Sequence, residues 1–196
     1  PRYWLIGAGK GAGRWDEFQK NGEVRLGYSS KTALVGDVSG MSRDEIADIV
    51  TPEGGNAPVN DILALYQFAS EVEIGDRVFV KKGRSEIVGL GVVTGEYRFE
   101  ADEPYALARD VHWLASGDWL IPGENMLPMK TLTDITSKHD LIEAMLPLMI
   151  GSDDVVEGAG DAEPYTLEHA QAGLFLPPEQ ISAIVSALKV KKNVIL

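Results

Sequence analysis

The sequence predicts an α+β domain: a small mixed β-barrel with helices packed outside it, followed by a linker and a short helical lead-in. Three observations carry this. Short β-leaning runs bounded by glycine and charge recur through residues 1–128. Glycines at 89, 91 and 95 interrupt the best of these runs, as bends or bulges in a closing barrel require. Three helices are marked by their capping residues, Ser42, Asn60 and Ser137.

In chain order, Tyr3–Gly7, Glu23–Gly27 and Thr32–Val38 are the first strand candidates. Ser42-Arg-Asp-Glu45 is a capping box ahead of Ile46, Ile49 and Val50. Asn60 can cap Ile62–Phe68, whose apolar positions recur at helical spacing. Asp76–Lys81 and Glu86–Val93 are rich in β-branched residues, and Gly83 between them, flanked by Lys82 and Arg84, suits a hairpin turn. Tyr105–Leu114 is a further strand. Ser137 with Asp140 opens a helix bearing Leu141, Ile142, Met145 and Leu146 and ending near Pro147.

The character then changes. Residues 151–164 are acidic, glycine-rich and nearly free of large apolar side chains, which is linker composition. Beyond it Pro177-Pro178-Glu179 starts a helix, Ile181–Leu188 supplies its apolar stripe, and Asn193–Leu196 opens a buried strand. The expected organisation is a domain at 1–150, a linker at 151–164 and the start of a second domain at 165–196. The chain opens on Pro1 rather than Met, and a lone helix with half a strand buries no core, so the sequence reads as a piece of a longer protein.

Composition narrows the function. The 196 residues are 44% hydrophobic, enough for a sizeable core. There is no cysteine, which removes disulfide and thiolate chemistry and fits a reducing cytoplasm. No apolar run approaches the length of a membrane span, and no membrane partner is expected. A net charge of −12 argues against indiscriminate coating of nucleic acid. Yet residues 1–40 carry six basic against four acidic side chains, and residues 77–98 five against two. Two locally basic segments in an acidic chain can form one face for phosphate; ordinary solvated lysines and arginines are the plainer reading.

No catalytic constellation stands out. Gly7, Gly9 and Ala12 fit a dinucleotide pattern, but Gly13–Gly22 is too short for the crossover helix and no acidic residue ends a second strand. No Gly-Lys pair is followed by Ser or Thr in the frame of a phosphate loop. His112, His139 and His169 are dispersed, so no metal site is expected. The chain is expected to bind rather than catalyse and to carry no cofactor of its own. The aromatics Trp4, Trp15, Tyr28, Tyr66, Phe68, Tyr97 and Trp113 lie in or beside the barrel, most of them as core. Trp15 sits in a Gly-rich stretch between Arg14 and Asp16, where it serves either to pin the loop or as a platform on which a base stacks.

The ending Tyr165-Thr-Leu-Glu-His-Ala-Gln-Ala-Gly-Leu-Phe-Leu176, with Leu188-Lys-Val-Lys-Lys-Asn-Val-Ile-Leu196, resembles the lead-in of the McrB-family AAA+ GTPase domain, just before its phosphate loop. That resemblance implies a modification-dependent restriction system whose full-length protein binds GTP and Mg, forms a hexameric ring and recruits a McrC-like nuclease subunit.

Residues 1 to about 130 resemble EVE domains, PUA-like barrels related to YTH domains. The similar features are Tyr3-Trp4 in the first strand, Trp15 eleven positions after Trp4, and Leu26-Gly-Tyr-Ser-Ser30. The most specific are Glu73-Ile-Gly-Asp-Arg-Val-Phe-Val-Lys-Lys82 and Glu86-Ile-Val-Gly-Leu-Gly-Val-Val93. Such domains receive a modified base, flipped from the duplex, in an aromatic pocket. The resemblance implies a pocket of Trp15 and Tyr28, with Ser29 and Ser30 bonding a base edge. Tyr66 and Trp113 are further aromatic candidates for the pocket, the places to seek it should Trp15 serve as a structural anchor. Lys10, Arg14, Lys81, Lys82 and Arg84 are the phosphate-binding candidates. The polar pair that usually follows the first strand is replaced by Gly7-Ala8-Gly9, which leaves the identity of the base open. The expected partner is modified double-stranded DNA; the alternative is a modified base in RNA, which related barrels read.

Overall fold

A computed structural model describes residues 1–27, 36–122 and 126–150. Within them lie seven strands: β1 (Tyr3–Gly7), β2 (Glu23–Leu26), β3 (Arg77–Lys82), β4 (Glu86–Val93), β5 (Arg98–Phe99), β6 (Leu107–Leu120) and β7 (Leu132–Asp134). Four α-helices accompany them: α1 (Trp15–Asn21), α2 (Arg43–Val50), α3 (Val59–Ser70) and α4 (His139–Ile150). A 3-10 turn covers Lys10–Ala12. The strands form one mixed sheet in the order β2-β6-β4-β3-β1-β7, with β5 beside β6. It curls into a half-barrel, and among the described residues its outer strands β2 and β7 do not pair. The α+β reading therefore stands, and the curled half-barrel with its helices is compatible with the expected small mixed barrel.

The central strands explain the layering. β1 alternates Trp4 and Ile6 into one core with Leu5 into a second, and β3 divides Val78 and Val80 from Phe79 in the same way. A strand buried on both faces needs a continuous apolar run, which Tyr3–Gly7 supplies. The first core also takes Phe18 of α1, Ile46 of α2, and Ile62, Leu65 and Phe68 of α3. The second takes Ile142, Met145 and Met149 of α4. β1 and β3 pair in parallel, Tyr3 opposite Arg77 through Gly7 opposite Lys81, so both end at the same rim of the sheet.

The glycines of β4 have two uses. The β4–β6 register shifts between Ile87 and Gly89 and again between Leu90 and Gly91, the irregularities expected of a bending sheet. A Cβ on Gly89 would lie 2.2 Å from Cη2 of Trp15, and one on Gly91 2.4 Å from Cγ1 of Val111. Aromatic and β-branched side chains occupy the space that side chains on the strand would need.

Several local expectations are corrected. The capping box of α2 forms as expected, Glu45 N donating to Ser42 Oγ and Ser42 N to Glu45 Oε2. Asn60 does not cap α3 but lies inside it; the amides of Asp61 and Ile62 donate to the Pro58 carbonyl. Proline's fixed φ and missing N–H favour the start of a helix. α4 opens from the Lys138 carbonyl and runs through Pro147 to Ile150, its apolar face held by Ile142, Met145 and Met149. α1 occupies a stretch expected to be loop, and ends at Gly22 with a left-handed φ of 64°. β6 is longer than the expected Tyr105–Leu114. Residues 36–38 form no strand, and the rest of Thr32–Val38 lies outside the described residues, as do the linker 151–164 and the segment 165–196. Among the described residues no helix is long and apolar enough to cross a membrane.

Candidate functional site

The rim where β1 and β3 end is built from glycine. After Gly7 the chain turns at Gly9 (φ 76°) and Gly11 (φ 61°), conformations an L side chain rarely adopts. A Cβ on Gly27 would stand 2.6 Å from the Cα of Tyr105, so the chain leaving β2 passes Tyr105 closely only because residue 27 has no side chain. These turns and the Gly83 hairpin surround an open cleft of about 480 Å³. Its functional groups come from Lys10, Lys81, Arg84, Tyr105 and Thr131, with Met129 at the mouth.

The cations around the cleft differ in how far they are already engaged. Lys81 is 6% exposed, and its ammonium donates to the carbonyls of Pro128 and Lys130, the latter at 2.8 Å. Burial pushes it below the usual lysine range, and the nearby Arg84 charge adds to that. It ties the segment before β7 to the sheet. Lys82 points elsewhere: its ammonium lies 3.1 Å from both Glu86 and Asp118, whose hydrogen bonds raise its pKa. Arg14 pairs with Glu17 and lays its guanidinium 4.4 Å from the centre of the Tyr105 ring. Lys10 and Arg84 are exposed, and neither side chain makes an ion pair or hydrogen bond with a described residue.

Of the five expected phosphate ligands the structure thus brings Lys10, Lys81 and Arg84 to one cleft. Two of these remain open to an anion. Arg14 backs the cleft through Tyr105, and Lys82 is neutralised by its two carboxylates.

The expected aromatic pocket does not assemble from the described residues. Trp15 is not in an exposed loop; it begins α1, is 9% exposed and meets Trp113 edge to face at 4.7 Å and 83°. Trp113 in turn donates its Nε1 proton to the Phe18 carbonyl at 3.0 Å. Trp15 and Phe18 are three residues apart and both buried, which is helical spacing that the flanking glycines obscure. Tyr66 is half-buried on α3 beneath the Arg43 guanidinium, 5.1 Å away. None of Trp15, Tyr66 and Trp113 lines the cleft. Tyr28, Ser29 and Ser30 lie outside the described residues.

Tyr105, Met129 and Thr131 are site residues that the sequence does not mark. Tyr105 reads as the start of a strand, and the other two reach the rim through β7, which pairs with β1 from more than a hundred residues away. Gly7 N donates to the Thr131 carbonyl at 2.9 Å, closing that wall of the cleft. Among the described residues no three His, Asp or Glu side chains converge as metal ligands would.

A family model described as "Domain of unknown function (DUF8426)" matches residues 4–136, more than half of the chain. The chain belongs to the DUF8426 family. The DUF8426 match starts in β1 and ends just past β7, so it takes in the whole sheet with α1, α2 and α3, and leaves α4 outside. Every described residue of the cleft falls within the DUF8426 segment. No curated protein matches the chain.

Proposed function

We propose that this DUF8426 domain binds DNA carrying a modified base and holds that base, turned out of the stack, in the cleft at the ends of β1 and β3. One observation carries the reading: in a protein of net charge −12, Lys10 and Arg84 stand without described partners at the edge of a glycine-walled hollow of nucleotide size. Glycine walls let a planar ring approach main-chain donors and acceptors directly. Cations at the edge suit the phosphates on either side of the extruded nucleotide. Arg14 stacked on Tyr105 holds that ring in place before a ligand arrives. The resemblance to EVE domains points the same way.

A buried methyl contributes only about 0.8 kcal/mol, so a single domain prefers modified DNA modestly. Several copies on a ring sharpen that preference through avidity, which fits the McrB-like ending of the chain. In this reading the longer protein supplies GTP and Mg binding, the hexameric ring and the contact with a McrC-like nuclease.

The test is a binding panel of duplexes carrying 5-methylcytosine, 5-hydroxymethylcytosine, N4-methylcytosine, N6-methyladenine or no modification, with matching RNAs. One modified duplex is expected to bind best. Equal affinity for every duplex would refute recognition of a modification, and tighter binding of a modified RNA would transfer the site to RNA.

A further inference from the structure

We propose that Met129 is the wedge that enters the base stack and fills the gap left by the extruded base, an assignment that rests on the reading above. Met129 is 78% exposed, the most exposed of the large apolar side chains among the described residues. It stands on a ridge, lining the cationic cleft on one side and a second hollow of about 450 Å³, bordered by Asn60 and Asp61, on the other. An isolated exposed methionine is ordinary; this one is held in place. The buried Lys81 ammonium donates to the carbonyls of Pro128 and Lys130, the residues immediately before and after it. Leu127 N donates to the Arg84 carbonyl at 2.8 Å, and Gly7 N to the Thr131 carbonyl at 2.9 Å. The main chain on both sides of Met129 is thereby fastened to β1, β3 and the β3–β4 turn.

A buried cation spent on two carbonyls makes physical sense if the residue between them must be presented rigidly. Apolar side chains, methionine among them, are used to part base steps, where they replace lost stacking with contact to the neighbouring base faces. Met129 is unbranched and polarisable, suited to an irregular slot. It lines the edge of the cleft and is open to solvent, so a duplex that delivered a base into the cleft would meet its side chain.

The test compares the unaltered chain with Met129→Ala and Met129→Leu on the four modified duplexes of the panel and on the corresponding modified single strands. A single strand has no gap to fill. On whichever duplex the unaltered chain prefers, Met129→Ala is expected to weaken binding by about tenfold, with the single strand changed by no more than about twofold. Met129→Leu restores most of the duplex affinity. Equal loss on duplex and single strand would make Met129 a wall of the base site and overturn the wedge, as would no loss on either. If the unaltered chain prefers no modified duplex, the functional reading fails and the wedge with it. Unchanged melting temperatures for both variants, expected of so exposed a side chain, exclude misfolding as the cause of any loss.

Discussion

The indole Nε1 of Trp4 donates to Asp76 Oδ2 at 2.7 Å, and both residues are buried. The same carboxylate accepts from the amides of Arg2 at 2.8 Å and Glu73 at 3.0 Å. One side chain thus fastens the entry of β1 to the entry of β3, the parallel pair whose far ends form the cleft. Asp76→Ala leaves these donors without their carboxylate and is expected to cost about 2–4 kcal/mol. Asp76→Asn keeps one acceptor oxygen and recovers part of that. Urea unfolding at constant m-value measures both, and a loss under about 0.5 kcal/mol for Asp76→Ala contradicts the clamp.

Trp15 and Gly89 are predicted to be coupled. Trp15→Ala removes a buried indole and is expected to cost about 3–5 kcal/mol, a core effect rather than a binding effect. Gly89→Ala drives a methyl into that indole and is expected to cost about 1–3 kcal/mol. In the Trp15→Ala background the methyl enters vacated space, so Gly89→Ala costs less there. A double-mutant cycle by denaturant unfolding reads the difference; strict additivity contradicts the contact.

These two pairs mark what the sequence could convey. β1, β3 and β4 were legible because their apolar runs are local, and so was the capping box of Ser42 and Glu45. β7 was not: Leu132-Thr-Asp134 is three residues long and becomes a strand only by pairing with Trp4–Ile6. Of the site, the charges of Lys10 and Arg84 were visible, but charge cannot separate Arg84 from Lys82, whose carboxylate Asp118 arrives from the far end of β6. Tyr105 enters the cleft through its contact with Gly27, a relationship between residues 78 apart that no period or cap records.

Glu100 gives a pH prediction. Arg25 lies 2.5 Å and Arg98 3.2 Å from its two oxygens, and these guanidiniums hold its carboxyl below the ordinary value of 4.5. A depressed folded-state pKa contributes stability that is present above pH 4.5 and lost as pH falls through the folded value. Glu100→Gln lacks that contribution. Its stability deficit relative to the unaltered chain is therefore expected at about pH 6 and should shrink by about pH 3. The carboxylate is partly exposed, so the deficit is modest and salt reduces it. A deficit equal at both pH values assigns it to shape rather than charge.

The salt dependence of the proposed DNA binding would separate the cations of the rim. Lys10 and Arg84 have no described partner, so each can replace a counterion on phosphate, whereas Lys82 is already matched by Glu86 and Asp118. Each phosphate neutralised contributes about 0.9 to the slope of log affinity against log salt, so Lys10→Ala with Arg84→Ala should lower that slope by about 1.8. Contacts to phosphate position the duplex without reading the base, and the double variant should therefore weaken modified and unmodified duplexes by similar factors. Lys82→Ala should leave the slope unchanged, because removing it frees two carboxylates rather than a phosphate contact. Lys81→Met acts differently again: it releases the carbonyls of Pro128 and Lys130 and should lower the melting temperature before it alters the slope. An undiminished slope in the Lys10 and Arg84 double variant removes the cleft from the DNA interface. A fall of the same size in Lys82→Ala moves the interface onto the β3–β4 hairpin.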